Sequence, residues 1–228
     1  MSPPKKPASS TQTGPRGEAV TLKRSLGRST SQQKWLLRQL NDPYVQAAKR
    51  AGYRSRAAFK LIELDDRFGL LKPGARVVDL GAAPGGWSQI AMLRGAYSVV
   101  GIDLLPIDNV PGAKFIEGDF NDPAMPDRLA EMMGGRADLV LSDMAPNTTG
   151  HGPTDHLRIM GLAELALDFA LKILNPGGAF VAKLFQGGAA KELLVPMKQN
   201  FATVKHAKPP ASRKDSSELY VVAQGFKG

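Results

Sequence analysis

The sequence predicts an α/β fold: a mostly parallel sheet of seven strands, helices on both of its faces, and an antiparallel hairpin at one edge. Short apolar runs alternate with helical stretches from about residue 76 onward, which is typical of parallel strands joined by crossover helices. A glycine-rich turn follows the first of these runs, at the position where doubly wound sheets bind nucleotides. The chain has 228 residues, enough for one such domain.

The strands are predicted from continuous runs of aliphatic residues, because a strand that is covered on both faces needs no polar side. The parallel strands are predicted at residues 76–81, 97–103, 113–119, 137–143 and 178–185. Two further strands close the chain and are joined by a polar loop, which predicts the antiparallel edge hairpin. They are predicted at residues 201–206 and 218–224.

The helices are predicted from apolar residues that recur with a spacing near 3.6. Between the strands these stretches lie near residues 86–94, 124–133, 155–174 and 188–200. Residues 31–49 are also helical in pattern, with a break expected at Pro43. A further helix is expected to begin with Ser55 as its N-cap. Its buried face is predicted to consist of Ala57, Ala58, Leu61, Ile62 and Leu64.

The positive charge is concentrated in the first part of the chain. Residues 1–60 hold 13 lysines and arginines against 2 acidic residues, whereas residues 61–228 hold 17 against 19. Residues 1–41 are therefore predicted to be a basic, largely disordered extension, and residues 42–228 to be the folded domain. A basic arm favours a polyanionic partner such as RNA, although a solvated tail or a membrane surface would also accommodate it.

Composition excludes several kinds of site. The chain has no cysteine, so it has no disulfide, thiolate zinc site or thiolate nucleophile. His151, Asp155 and His156 match no standard zinc spacing, and we predict no metal site. No apolar segment follows Lys5 and Lys6, so we expect no signal peptide, and no apolar run is long enough for a membrane span. The lack of cysteine fits a cytoplasmic protein, and we expect a monomer.

The glycine-rich turn lies in Asp79-Leu-Gly-Ala-Ala-Pro-Gly-Gly-Trp-Ser-Gln89. Its glycines would let the backbone approach a ligand closely. The spacing is Gly-x-x-x-Gly-Gly, which differs from the Gly-x-Gly-x-x-Gly of dinucleotide sites and from the phosphate-binding P-loop. The next two predicted strands end at Asp103 and Asp119, which could accept hydrogen bonds from a ribose and from an adenine amine. Together these features predict a nucleoside site, with Phe120 beside the base.

Two further strand ends carry the reactive groups. Asp143 opens Asp143-Met-Ala-Pro146, which lacks the second proline and the aromatic residue of many base amino-methyltransferases. Methyltransferases that act on carbon 5 of pyrimidines need a cysteine, which this chain lacks. Among methyl-transfer reactions, transfer to an oxygen is therefore the remaining choice. Lys183 lies in an apolar run, where a lysine is costly unless it is paired or functional. It could act as a base in its neutral form, although a lysine at a sheet edge could also extend to solvent.

These motifs resemble those of the FtsJ-like RNA 2′-O-methyltransferases, most closely the bacterial members that methylate a uridine ribose of 23S ribosomal RNA. The resemblance runs from about Asp42 to the C-terminus. It is most specific in Tyr53-Arg-Ser-Arg-Ala-Ala-Phe-Lys60-Leu, the glycine-rich turn, Ile102-Asp-Leu-Leu-Pro106 and Ser142-Asp-Met-Ala-Pro146. It implies a Rossmann-like class I methyltransferase fold, S-adenosyl-L-methionine as cofactor, and ribosomal RNA of the large subunit as partner.

The resemblance also implies roles for individual residues. A catalytic tetrad would fall on Lys60, Asp143, Lys183 and Glu218, and cofactor contacts on Gly85, Trp87, Asp103, Asp119 and Asp143. From their charge, we further predict RNA-binding roles for Arg50, Arg54 and Arg56, while Tyr53 could either stack on a base or pack against the domain. The alternatives are methylation of tRNA or another RNA, and a ribosome-assembly factor in which RNA binding matters more than catalysis.

Overall fold

The computed structural model describes residues 30–146, 151–185 and 190–228. The chain divides into two compact units, Met1–Pro43 and Tyr44–Gly228. The described part of the first unit contains helix α1 (Thr30–Leu40), which agrees with the helical pattern that begins near residue 31. Of the extension over residues 1–41 that is predicted to be largely disordered, residues 1–29 lie outside the described residues. The proposed domain boundary after residue 41 stays a prediction.

Helices and strands alternate as predicted along the second unit, with boundaries shifted by a few residues. The helices that follow α1 are α2 (Pro43–Ala51), α3 (Ala57–Phe68), α4 (Gly86–Leu93), α5 (Met125–Met133), α6 (Gly152–Ile173) and α7 (Ala190–Asn200). The strands are β1 (Arg76–Leu80), β2 (Ser98–Asp103), β3 (Ala113–Glu117), β4 (Ala137–Ser142), β5 (Leu174–Phe185), β6 (Phe201–Ala207) and β7 (Glu218–Phe226). The predicted interruption near Pro43 is confirmed, because α1 ends at Leu40 and α2 begins at Pro43.

The described strands form one sheet of seven in the order β3-β2-β1-β4-β5-β7-β6. The pairs from β3 through β5 are parallel, whereas β7 runs antiparallel to both β5 and β6. The predicted fold class and edge hairpin are therefore confirmed. The strand order reverses between β1 and β4, and the carboxyl ends beside such a switch point are where α/β sheets bind ligands.

Two apolar clusters cover the two faces of the sheet. In β1, Val78 and Leu80 belong to the cluster that includes α5, α6 and α7, while Val77 belongs to the cluster that includes α3 and α4. All three side chains are fully buried. Burial on both faces explains why the strand sequences are continuously apolar. Within the described residues, no helix is long and apolar enough to cross a membrane.

The start of α3 differs from the sequence prediction. Its N-cap is Arg56, in a helical conformation and without a side-chain capping bond, so the assignment of Ser55 as the cap was wrong. The Ser55 hydroxyl is instead buried against α4, where a β-carbon on Gly86 would lie 2.6 Å from it. The start of α3 therefore packs so closely on the start of α4 that residue 86 has no room for a side chain. This packing places the Ser55 hydroxyl against α4, away from the position of a helix cap.

Candidate active site

Four charged side chains that are distant in sequence meet at the carboxyl ends of the central strands. Asp143 follows β4, Lys183 is on β5, Glu218 begins β7, and Lys60 is on α3. The Lys183 Nζ lies 3.0 Å from the Asp143 Oδ1, and the Lys60 Nζ lies 2.8 Å from the Glu218 Oε1 and 4.0 Å from the Asp143 Oδ2. Lys183 also donates to the backbone carbonyl of Asp143.

Sheet register accounts for this meeting. Antiparallel pairing of β5 with β7 places Lys183 opposite Tyr220 and Phe185 opposite Glu218, at the end of β5 that adjoins Asp143. Exposure is 8% for the Lys183 side chain and 17% for that of Asp143. The apolar surroundings expected for Lys183 thus also include a carboxylate, that of Asp143, which compensates its charge.

Tyr220 joins the two halves of this cluster, and sequence reasoning missed it. Its hydroxyl donates to the Asp143 Oδ1 at 2.7 Å and accepts from the Lys60 Nζ at 3.1 Å. The residue is fully buried, and its ring packs on Trp87 at 5.7 Å between centroids. In the sequence, Tyr220 looks like any aromatic residue of an apolar strand, so only the register that sets it opposite Lys183 reveals its position.

Ser212 is a second residue that the sequence did not indicate. Its hydroxyl donates to the Glu218 Oε1 at 2.7 Å, and the residue is 5% exposed. The backbone N–H of its neighbour Ala211 donates to the Glu63 carboxylate of α3 at 2.7 Å. The loop between β6 and β7 is therefore fastened to α3 and orients Glu218. A polar, non-periodic loop carries no pattern that could predict this.

The charges of the cluster stabilise one another. Burial alone would raise the pKa of Asp143, but the ammonium groups of Lys183 and Lys60 and the Tyr220 hydroxyl outweigh it and hold that pKa below its ordinary value. Burial, followed by the nearby charges of Asp143 and Glu218, raises the pKa of Tyr220 well above its ordinary value. The phenol therefore stays protonated and serves as a hydrogen-bond donor to a carboxylate.

A cavity of about 870 Å³ opens beside this cluster, and Asp143 belongs to both. Its lining combines the end of β1, the end of β2, the segment after β3, the segment after β4 and one face of α6. Several lining residues lie within motifs that the sequence analysis singled out without assigning them individual roles: Gly81, Ala83, Leu104, Leu105 and Met144. Leu162 of α6 also lines the cavity, and the sequence had not indicated it. Residues that follow the strand ends can be expected to line a cavity in this fold, because ligands bind at the carboxyl ends of parallel strands. The lining residues on α6 cannot be predicted in this way, because their position depends on how that helix packs.

Two of the predicted acidic residues line the cavity in a defined geometry. Asp103 accepts from the backbone N–H of Ala83 at 2.9 Å through Oδ2 and from that of Leu105 at 3.0 Å through Oδ1. Asp119 accepts from the backbone and side-chain amides of Asn121 at 2.9 and 2.7 Å. These bonds lower the pKa of Asp119, so its carboxylate is an ionised acceptor.

Most of the folded domain matches one protein family. The model of the FtsJ-like methyltransferase family matches residues 53–226. The chain belongs to the FtsJ-like methyltransferase family. Its fold is accordingly the Rossmann-like α/β fold of these enzymes, and S-adenosyl-L-methionine is the cofactor that the family uses.

Similar proteins share most of the length of this chain. One is "Ribosomal RNA large subunit methyltransferase E" of Granulibacter bethesdensis, which is 70% identical over 94% of this chain and 94% of its own. A protein of the same name from a Caulobacter species is 55% identical over 98% of this chain and 99% of its own. A solved ribosomal RNA methyltransferase from Plasmodium falciparum has a TM-score of 0.68 and 31% identity, covering 77% of this chain and 100% of its own.

The glycine-rich turn of this family member passes close to the segment that follows β4. Gly81 has a φ of +79°, and a β-carbon there would lie 2.8 Å from the backbone nitrogen of Met144. Gly85, at the end of the turn, and Trp87, in α4, are not among the residues that line the cavity. The Trp87 indole is 3% exposed and donates to the carbonyl of Ala57 at 2.8 Å, so a cofactor contact by Trp87 would come from its backbone.

The three arginines predicted to bind RNA lie in different environments. Arg50 is exposed in the last turn of α2. Arg54 and Arg56 are half-buried, and their guanidinium groups donate to backbone carbonyls of the protein itself. Tyr53 packs edge-on against Phe59 at 5.5 Å between ring centroids, which favours packing over base stacking. In residues 30–146, 151–185 and 190–228 no group of three or more potential metal ligands occurs.

Proposed function

We propose that this methyltransferase transfers a methyl group from S-adenosyl-L-methionine to the 2′-hydroxyl of a ribose in ribosomal RNA, with a uridine of 23S ribosomal RNA in the large subunit as target. The observation that carries the proposal is the cluster of Lys60, Asp143, Lys183 and Glu218 at the wall of a nucleoside-sized cavity. The names of its relatives support ribosomal RNA as substrate. We propose that the protein acts as a monomer in the cytoplasm.

The cavity residues supply the groups that the cofactor requires. Asp103 would accept from the ribose hydroxyls and Asp119 from the adenine amine, because both carboxylates face the cavity. The turn that contains Gly81 and Gly85 would hold the methionine portion near Asp143. When bound, S-adenosylmethionine supplies a methyl group that is already activated on a sulfonium.

The cluster would activate the acceptor oxygen. A ribose hydroxyl is a weak nucleophile until a base removes its proton. We assign that task to Lys183 in its neutral amine form, which arises when the ammonium first releases its own proton and which becomes an ammonium again on accepting the hydroxyl proton. Asp143 orients Lys183 through the 3.0 Å contact, and Glu218 holds Lys60, which would position the ribose. Alignment of the hydroxyl with the methyl group contributes the remainder of the rate.

Replacing Tyr220 with Phe should lower the methyl-transfer rate about tenfold, because a hydrogen bond to a charged group contributes roughly 1.5 kcal/mol. The hydroxyl that orients Asp143 and Lys60 would be lost while the ring and its packing on Trp87 remain. Single-turnover rates at saturating cofactor and RNA measure the effect. The matched control is Tyr97→Phe, at a tyrosine that is 70% exposed. Equal rates for Tyr220→Phe and wild type would contradict an orienting role.

Reversing the charge of Arg50 should weaken RNA binding and flatten its dependence on salt, since each lost phosphate contact reduces the log–log slope by about 1. Binding of a ribosomal RNA fragment at several salt concentrations measures the slope. Lys172→Glu is the matched control, because Lys172 is also exposed in the last turn of its helix and the change in net charge is the same. An Arg50→Glu slope equal to that of wild type would exclude a phosphate contact.

The function is tested with large ribosomal subunits from a strain that lacks this gene. The purified protein is given cofactor with a radiolabelled methyl group together with these subunits or, in a parallel reaction, with tRNA from the same strain, and the RNA is then digested to nucleosides. Label in 2′-O-methyluridine supports the whole proposal. Label only in tRNA would move the target to another RNA, and binding to subunits without any label would favour an assembly factor.

A further inference from the structure

We propose that Arg54 is a positioning residue for the cofactor site: its side chain fixes two loops to each other and thereby holds the ribose side of the cavity in shape. This inference rests on the proposed function, because it takes the cavity to be the S-adenosylmethionine site. It gives Arg54 a different task from the phosphate contact that its charge suggests.

The guanidinium group of Arg54 is hydrogen-bonded to both loops. Its Nη1 donates to the carbonyl of Pro84 at 3.2 Å and to that of Asp108 at 2.9 Å, and its Nη2 donates to the carbonyl of Asn109. Pro84 lies in the glycine-rich turn after β1, and Asp108 and Asn109 lie in the loop after β2. One planar guanidinium group therefore connects two segments that are at least 24 residues apart in sequence.

The backbone of Arg54 is fixed as well. Its N–H donates to the Gln89 Oε1 at 3.0 Å, and the Gln89 Nε2 donates to the carbonyl of Gly52 at 2.9 Å. Gln89 is on α4, the helix that the glycine-rich turn begins. The segment before α3 is thus attached to α4, and the Arg54 side chain extends from a fixed base.

The same two loops form one wall of the cavity. Ala83, from the turn, and Leu104 and Leu105, from the loop after β2, all line it. Asp103 joins these loops from the cavity side, since one carboxylate oxygen accepts from Ala83 and the other from Leu105. Arg54 makes the corresponding connection farther along both segments.

The packing of Gly85 supports this assignment. A β-carbon at Gly85 would lie 3.2 Å from the Arg54 Cδ and 3.3 Å from the Cγ2 of Ile107, so the arginine stem and the loop after β2 both lie against the turn. Without the guanidinium, three carbonyls would lose their donor and the two loops would move more independently. Binding would then have to order them, which lowers affinity for a ligand that contacts Asp103.

The test compares Arg54→Ala, Arg54→Lys and the exposed control Arg50→Ala. Binding of S-adenosylhomocysteine is measured calorimetrically without RNA, RNA affinity is measured across salt concentrations, and thermal unfolding is followed without ligand. We expect the dissociation constant of S-adenosylhomocysteine to rise about 10- to 100-fold in Arg54→Ala and less in Arg54→Lys, since an ammonium can satisfy part of the set but lacks the planar fork. We expect the salt slope of RNA binding to be unchanged, the KM for S-adenosylmethionine to rise by a larger factor than kcat falls, and Arg50→Ala to bind the ligand as wild type does.

Three results would overturn the inference. Unchanged ligand affinity with a reduced RNA salt slope would make Arg54 a phosphate contact. A lower unfolding temperature with unchanged ligand affinity would make it a residue of general stability. Should Arg54→Ala fail to fold, wild-type ligand affinity in Arg54→Lys would reject the role. Failure of the wild-type protein to bind S-adenosylhomocysteine would instead reject the proposed function, so the two failures are distinguishable.

Discussion

Replacing Lys183 with Met is expected to lower the single-turnover rate of methyl transfer by a factor of about 10² to 10⁴, the range associated with a positioned acid or base. Methionine keeps much of the volume of the buried side chain but removes the amine that lies 3.0 Å from Asp143. Asp143 would retain its bond from Tyr220 and its ion pair with Lys60. The cofactor cavity and its Asp103 and Asp119 acceptors would be unaffected.

The control for this substitution is Lys205→Met on β6, an exposed lysine in the same sheet. Rates are measured in a single turnover with saturating RNA and cofactor, and calorimetry verifies that both variants bind S-adenosylhomocysteine. A Lys183→Met protein that binds both ligands and keeps a rate near that of wild type would reject Lys183 as the base. If Lys205→Met lowered the single-turnover rate by a similar factor, the loss in Lys183→Met would reflect a general effect of the substitutions on the sheet.

The Asp79→Asn variant is expected to lose a pH dependence of folding stability that the wild type shows between about pH 4 and pH 7. Asp79 is fully buried at the end of β1, where its Oδ2 accepts from the Ser88 hydroxyl at 2.7 Å and its Oδ1 has no partner among the described residues. Burial raises its pKa to about 7, and the charges of Asp143 and Asp103 add to the effect. Ser88 acts in the opposite direction but does not cancel it.

The direction of the effect follows from proton linkage. Below the unfolded-state pKa of 3.8 the carboxyl is protonated in both states, and above about pH 7 it is ionised in both. Between these values the folded state retains a proton that the unfolded state has released, so stability falls as pH rises. At about 1.4 kcal/mol for each unit of pKa difference, the loss amounts to roughly 4 kcal/mol.

Denaturant unfolding of wild type and Asp79→Asn at pH 4.5 and pH 8 measures this difference. The asparagine amide places an unpaired donor in the interior, which lowers stability equally at both pH values, so the informative quantity is the change between them. Asp215→Asn, at an exposed position of the loop between β6 and β7, is the control for removing a carboxylate. The same pH dependence in Asp79→Asn and wild type would show that Asp79 ionises normally in the folded protein.

Local sequence patterns were sufficient to predict the elements of the fold. The strand that contains Val77, Val78 and Leu80 reads as a continuous apolar run because both faces of the sheet are covered. The turn after it is recognisable because a close backbone approach excludes side chains, as Gly81 demonstrates against Met144. Strand ends at Asp103 and Asp119 could be assigned to one edge of the sheet, since parallel strands end on the same side.

Several local assignments depended on contacts that the sequence does not encode locally. Ser55 has the residue type of a helix cap, yet its hydroxyl packs against the start of α4 and α3 begins without a side-chain cap. Arg54 has the charge of a phosphate contact, yet its guanidinium donates to carbonyls of two loops that are remote in sequence. Composition predicts which groups can bind, whereas packing determines which partners are within reach.

The sequence by itself determined the α/β fold, the nucleoside-binding edge of the sheet and the residue types available for catalysis, because each of these depends on local periodicity or on the direction of parallel strands. Only the tertiary structure decided that Tyr220 bridges Asp143 and Lys60, that Ser212 donates to Glu218, and that Arg54 donates to carbonyls of two loops. These contacts join residues from different strands, helices and loops. Their distances are set by strand register and packing, which no single segment of the chain specifies.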